Sequence, residues 1–285
     1  MIKKVGSSAT LILFFLFYLS IAHANETLTL SIHPYKSASD LHKAFEPLAQ
    51  YLSRVTHTNI QLHVAKDYQS HIDLIGRNKV DIAYMGPASY LRLVKIYGKK
   101  RLLARLAING EPTFKGMIIV PTKSNITTLQ MLADTRFAFG SAASTMSHLV
   151  PRYMLLEAGI PVTKLKKHAF LGNHANVALG VLSGNYDAGA VKEAIFFKYQ
   201  SQGLRVLAET PPLSEHLFVV NDNLNSNLVK KLKNALLKLH TMKQNIVILQ
   251  SIKKTASALA SVKDSDYENL RKILHTLETE NTSIE

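Results

Sequence analysis

Between Val80 and Tyr90 the chain reads VDIAYMGPASY, and this stretch restricts the fold more than any other. Strand-like residues run into Tyr84, Met85 and Gly86, and Pro87 then stands where a helix begins. Proline suits the first turn of a helix because its missing N–H would have had no intrahelical partner. A buried strand that turns on a glycine straight into a helix is a βα junction, and in open α/β sheets ligands sit beside such junctions. The stretch is therefore expected to form one wall of a binding site.

The rest of the chain repeats the alternation. LTLSI (Leu28 to Ile32) alternates as a strand does, and Leu41, Phe45, Leu48 and Leu52 follow at helical spacing. NIQLHVAKDY reads as a second strand, SHIDLIGRNK as a short helix, and VDIAYMG as a third strand feeding the helix PASYLRLVKIYG. The order βαβαβα predicts a parallel sheet with helices on both faces. FKGMIIVPTKSNI then leaves this unit, and a second α/β unit runs from about Lys115 to Leu207 through RFAFGS, KKHAFLG and YDAGAV. PPLSEHLFVV reads as a return strand, Leu228, Leu232, Leu236 and Leu239 mark an amphipathic helix, and the tail is expected to be helical to about Leu277. Crossings near Phe114 and between Glu209 and Pro212 predict an α/β protein of two lobes joined by a two-strand hinge. The expected division is a signal peptide over 1–24, the first part of lobe one over 25–114, lobe two over 115–208, and a return strand with C-terminal helices of lobe one over 209–285. Ligands of such a protein bind in the cleft, and closure of the lobes traps them.

Lys3 and Lys4, an apolar run from Leu11 to Ile21 broken only by Ser20, and Ala22-His23-Ala24 read as a cleaved secretory signal, with the mature chain starting near Asn25. The chain has no cysteine, so no lipid-bearing cysteine follows the signal and no disulfide staples the exported protein. The expected location is the periplasm, as a protein that is not a lipoprotein. The net charge is +14, two units of it from the signal lysines. The basic residues are scattered apart from Lys99-Lys100-Arg101 and Lys230-Lys231-Lys233, with no aromatic-plus-basic motif, so they read as solvated helix faces and a mild steering field for anions rather than a nucleic-acid surface.

Four stretches carry a resemblance: DIAYMGPASY, FAFGSAASTMSHLVPRYML, FLGNHANVALGVLSGNYDAGAV and DSDYENLRKIL. In order, over nearly the whole mature chain, they resemble the phosphate, phosphite and phosphonate substrate-binding proteins of ABC importers, the PhnD-like family. The resemblance implies a type II periplasmic-binding-protein fold, a monomer holding a tetrahedral oxyanion in the cleft, and delivery to an ABC permease. The alternative is the same fold as a sensory module reporting to a membrane histidine kinase.

Where the family has Ser-Thr-Ser-Gly, this chain has Ser144, Thr145, Met146 and Ser147. Hydroxyls and backbone N–H groups at a helix start donate to phosphoryl oxygens. Ser144 and Thr145 keep that capacity, Met146 offers only its N–H, and the third hydroxyl is either missing or supplied by Ser147. His174 matches the family's ligand histidine, Tyr68 a tyrosine set against the ligand at a strand end, and Tyr84 with Gly86 the facing wall on lobe one. Phe114 replaces a tyrosine and cannot donate. His216 stands nearest the place where aminoalkyl-phosphonate binders hold the amine with an acid, which disfavours a cationic ligand; Asp187 reads as structural, and Glu193 could substitute only if it faced the cleft.

No enzyme chemistry is expected. Ser144 lacks a Gly-x-Ser-x-Gly elbow, and His168 and His174 fall across a strand and a turn rather than at helical ligand spacing, so neither a nucleophile, a metal nor a cofactor is expected.

Overall fold

The computed structural model describes residues 27–282; the expected signal peptide lies outside the described residues. Two sheets form the cores of two lobes. The first lobe opens with β1 (Thr27–Ile32), α1 (Ala38–Thr56), β2 (Asn59–Val64), α2 (Tyr68–Gly76), β3 (Ile82–Met85) and α3 (Pro87–Tyr97). Ser37 caps α1 by accepting the N–H of Asp40, and the four residues that predicted it, Leu41, Phe45, Leu48 and Leu52, are all fully buried against the sheet. Strand β4 (Arg101–Ile108) follows, then the short β5 (Thr113–Phe114).

The second lobe holds β6 (Gly116–Pro121), β7 (Arg136–Phe139), a π-helical turn (Thr145–Leu149) leading into α4 (Val150–Glu157), β8 (Lys167–Phe170), α5 (His174–Leu182), β9 (Ala188–Lys192), α6 (Glu193–Tyr199) and β10 (Leu204–Glu209). The chain returns through β11 (Leu213–Ser214) to β12 (Leu217–Val220), α7 (Ser226–Lys238), α8 (Ile246–Ile252), β13 (Ala256–Ala260) and α9 (Glu268–Thr282). Strands β5 and β11 pair antiparallel, Phe114 opposite Leu213, so the two crossings run side by side as a ribbon between the lobes.

The sheets are mixed rather than parallel. In the first, ordered β13-β4-β12-β3-β1-β2, β12 lies between β3 and β4 and runs antiparallel to both. The reason is the hinge: a strand of a βα unit finishes at the cleft, whereas β12 starts there, with Leu217 beside Met85, the last residue of β3. The second sheet, β10-β6-β9-β7-β8, repeats the rule, because β6 enters from the hinge and pairs its Gly116 with Lys192 at the end of β9. Strands β4, β10 and β13 and helix α6 are not anticipated by the apolar pattern, and the tail is interrupted by β13, an edge strand on β4. The arginines of β4 hide it: Arg101 donates from Nη2 to the carbonyls of Asn221 and Leu224, and Arg105 from Nη1 to Ser214, so charged residues that read as surface are spent on backbone and hinge.

Helices α7 and α8 cover one face of the first sheet, and α9 lies on α3 and reaches the second lobe. Met146 and Val150 share an apolar cluster with Leu91 and Leu270, and Arg152 pairs with Glu280 at 2.7 Å, so the lobes meet along a packed seam. Within the second lobe Gly189 lets α5 press on β9: a Cβ there would lie 2.6 Å from Val177 Cγ1. That close approach sets where the first residue of α5, His174, emerges. No described helix is long and apolar enough to cross a membrane.

Candidate functional site

The carboxyl ends of both sheets face each other across a cavity of about 50 Å³. Lobe one lines it with His33 and Tyr35 after β1, Tyr68 at the start of α2, Gly86 and Ser89 at the start of α3, and Phe114 and His216 beside the ribbon. Lobe two contributes residues 143–146, His174 and Lys192. Four helical segments therefore begin at one small space: α2, α3, the Thr145 turn that continues into α4, and α5. The first N–H groups of a helix have no intrahelical partner and sit at the positive end of its dipole. Depressions of about 980 Å³ lie on the outer side of α5 and between α3, α4 and α9, but neither gathers such donors.

Individual side chains are held so that they donate into this space. Ser144 caps the π turn, its Oγ accepting the N–H of Ser147 at 3.2 Å, which leaves its proton free to donate. Thr145 Oγ1 accepts the N–H of Ala88 at 3.3 Å across the cleft, so the same hydroxyl ties the lobes together. Met146 lines the wall while its sulfur accepts from Thr210 Oγ1 at 3.5 Å. Ser147 does not line the cavity: its side chain turns beneath Gly140, where its Oγ is buried without a partner, so the third hydroxyl is not supplied from there.

His174 is freed from capping because Asn173 takes that role, its Oδ1 accepting the N–H of Asn176 at 2.9 Å. The His174 Nδ1 accepts the backbone N–H of Lys192 at 3.0 Å, which places the ring proton on Nε2 as a donor. Burial, with the charges of Lys192 and His216, lowers the His174 pKa to about 3, so the ring is neutral near pH 7. Lys192 closes the wall, its ammonium 5.6 Å from the centre of the Tyr35 ring. Burial, then Lys253, brings its pKa down to about 8, leaving it mostly charged at pH 7.

Tyr68 opens α2 rather than ending β2, with Asp67 as the cap, and it stands edge-on to His33 at 5.3 Å. Phe114 lines the wall 5.6 Å from His216. Tyr84 is displaced from the expected position: it is buried in the sheet, packs on Phe45 and Phe218, and stacks behind His216 at 5.5 Å without lining the cavity. Its place at the second-to-last position of β3 directs it into the apolar face. Asp187 sits at the far end of the sheet, where its carboxylate accepts from the Arg136 backbone and guanidinium.

Sequence reasoning missed His33, Tyr35, Lys192 and Glu215. His33 and Tyr35 follow the end of β1 and Lys192 is the last residue of β9, and applying the rule that drew attention to Tyr84 to every βα junction would have found them. Glu215, only 1% exposed, holds His216 Nδ1 at 2.7 Å and Lys253 Nζ at 2.8 Å. Burial alone would raise its pKa, but the neighbouring His216 and Lys253 hold it below the usual carboxylate range. Both its oxygens are engaged, and no described carboxylate lines the cavity to receive an amine.

Residues 30–267 match the family model for ABC transporter, phosphonate, periplasmic substrate-binding proteins. A phosphate-import protein PhnD of Mycolicibacterium smegmatis is 25% identical over 226 residues, 73% of this chain and 70% of that one. A probable ABC transporter phosphite binding protein PhnD1 of Prochlorococcus marinus is 26% identical over 260 residues, 84% and 86% of the two chains. The solved structure of PhnD1 from Prochlorococcus marinus, in complex with methylphosphonate, superposes with a TM-score of 0.79 at 22% identity over 89% of this chain and 99% of that one. The fold is thus the bilobed periplasmic-binding-protein fold. With a family model spanning most of its length, the chain belongs to the periplasmic substrate-binding proteins of phosphonate ABC transporters.

Proposed function

We propose that this protein captures a phosphate-, phosphite- or phosphonate-type oxyanion in the interlobe cavity and hands it, unchanged, to an ABC permease. In this reading it works as a periplasmic monomer released from its signal peptide. The observation that carries it is the convergence of helix starts and donors, Ser144, Thr145 and His174 among them, with one ammonium, Lys192, on a space of about 50 Å³. Drug-sized ligands need ~300–1,000 Å³, so the cavity suits an ion of a few atoms. With Glu215 already engaged, aminoethylphosphonate should bind no better than methylphosphonate.

The test is calorimetry after a thermal-shift panel of phosphate, phosphite, methylphosphonate and aminoethylphosphonate. Losing one donor to a charged group costs ~1.5–3 kcal/mol, so Ser144→Ala, Thr145→Ala and His174→Ala should each weaken the best ligand by about tenfold or more. Asp187→Ala, at the far end of the sheet, should leave the affinity within twofold. Unchanged affinity in all three donor variants would remove the site.

A second expectation concerns pH. The Lys192 ammonium attracts the anion below its pKa of about 8 and is lost above it. Affinity should fall as pH rises from 7.5 to 9, and Lys192→Met should bind more weakly and fall less steeply over the same range.

A further inference from the structure

We infer that His33 is a specificity-determining residue of the cavity: an unpartnered ring nitrogen accepts the proton of a P–OH group, so the site selects an oxyanion that still carries a hydrogen and rejects a fully ionised one such as sulfate. The inference rests on the oxyanion-binding reading above and names the protonation state of its ligand.

His33 follows β1 at its cleft end, lines the cavity, and is only 2% exposed. Both of its ring nitrogens are buried without a hydrogen-bond partner. Buried polar groups are nearly always paired, and one left unpaired in a ligand cavity points to a partner that arrives with the ligand. The ring is held in place by its neighbours, with Tyr35 at 4.8 Å, His216 at 5.2 Å and Tyr68 edge-on. His71 and Tyr84 stand behind it at 6.1 and 5.8 Å. Burial, followed by the charges of His216, His71 and Lys192, lowers its pKa well below the ordinary value, so the imidazole is neutral. A neutral imidazole carries one N–H and one bare nitrogen.

That bare nitrogen can only accept, whereas the hydroxyls of Tyr35, Tyr68, Ser89, Ser144 and Thr145 around the cavity can each also donate. Ser144 and Thr145 hydroxyls each already accept one N–H and keep a proton to donate, His174 donates from Nε2, and Lys192 is a pure donor. His216 is committed through Nδ1 to Glu215. Among the described histidines that line the cavity, only His33 has neither nitrogen engaged. A fully ionised tetrahedral anion presents acceptors alone, can be met only by the ring's N–H, and leaves the bare nitrogen without a partner. A phosphoryl monoanion offers acceptor oxygens to the donors and one O–H to His33. The second ionisation of a phosphoryl group falls near neutrality, ~6 for a phosphate ester, so such a monoanion is available, whereas sulfate keeps no proton.

The experiment is calorimetry of methylphosphonate and sodium sulfate at pH 6.5 on wild type, His33→Gln and His33→Phe. Wild type is expected to prefer methylphosphonate by at least a hundredfold. His33→Gln, which retains an acceptor oxygen, should keep most of that ratio. His33→Phe should lose tenfold or more in methylphosphonate affinity and narrow the ratio to below about tenfold. An unchanged ratio in His33→Phe overturns the inference while leaving the oxyanion site standing; wild type binding neither ion overturns the functional reading itself. If His33→Phe does not fold, wild type decides: from pH 5.5 to 7.5, below the range in which Lys192 titrates, a site selecting the dianion would gain about tenfold per pH unit. A constant or falling methylphosphonate affinity is the expected result, and a rising one overturns the inference.

Discussion

Glu215→Ala will destabilise the protein by about 3–5 kcal/mol in urea denaturation at pH 7.5, the cost of leaving the largely shielded Lys253 ammonium without its counter-charge. The carboxylate is fully buried between Lys253 and His216, and the backbone N–H of His216 also donates to it at 2.9 Å. Its own N–H bonds the carbonyl of Pro112 and its carbonyl accepts from Tyr267, so the residue fastens the ribbon to the first lobe just before β12. Removing the side chain leaves Lys253, itself largely shielded, without its ion-pair partner. Glu215→Gln, which keeps the shape and one acceptor, should lose less than Ala. A loss below about 1 kcal/mol for Glu215→Ala would show that water or a shifted Lys253 replaces the pair.

The second large effect is acid instability. His33, His71, His148 and His174 are all held neutral in the fold, mainly by burial, with pKa values lowered to about 3 for His71 and His174 and about 4 for His148. In the unfolded chain each returns to 6.5. Between those values the unfolded state binds more protons than the folded one, so the stabilisation is complete above pH 6.5 and is lost as the pH falls. Each such group removes up to ~1.4 kcal/mol per pH unit. His33 and His174 line the cavity, which leaves His71 and His148 as the firm contributors, together about 2.4 kcal/mol between pH 6 and 5. His71 bonds Ser31 in the first sheet, and His148 bonds the carbonyl of Ala142 in the second lobe. Urea midpoints of the ligand-free protein at pH 7.5, 6 and 5 provide the measurement, and His148→Gln should flatten the slope by about 1.4 kcal/mol per unit. A change under 1 kcal/mol between pH 6 and 5 would contradict the assignment. Glu215 acts in the same direction at lower pH, since its stabilisation is present above its unfolded value of 4.5 and is lost below it.

The parts of this protein that were legible in its sequence are those governed by neighbours along the chain. The α1 stripe of Leu41, Phe45, Leu48 and Leu52, the proline at the start of α3, and the donors at the π turn and α5 all depend on helical period and helix ends, which a few residues define. Ser144, Thr145 and His174 were singled out by the family resemblance, whose pattern falls on those helix starts. The two α/β units and the crossings near Phe114 and between Glu209 and Pro212 further anticipated two lobes and a cleft.

The places where that reading stopped depend on contacts distant in the chain. Strand β12 runs antiparallel because the chain comes home through the hinge, and β13 completes the sheet more than a hundred residues after its partner β4. No local period records either fact. Tyr84 and Ser147 sit beside the right residues in sequence yet turn into the cores, because a strand alternates faces and a helix rotates them. Lys192 and His33 reach one cavity from different lobes, 159 positions apart, and Glu215 becomes a buried anchor only when Lys253 folds over it. Short-range sterics and hydrogen bonding determined most of the elements, and the helix starts that meet at the cavity, from the sequence by itself. Burial, which makes His33 neutral and lowers Lys192 toward neutrality, exists only once both lobes exclude water from the same space, and that was decided by the tertiary structure.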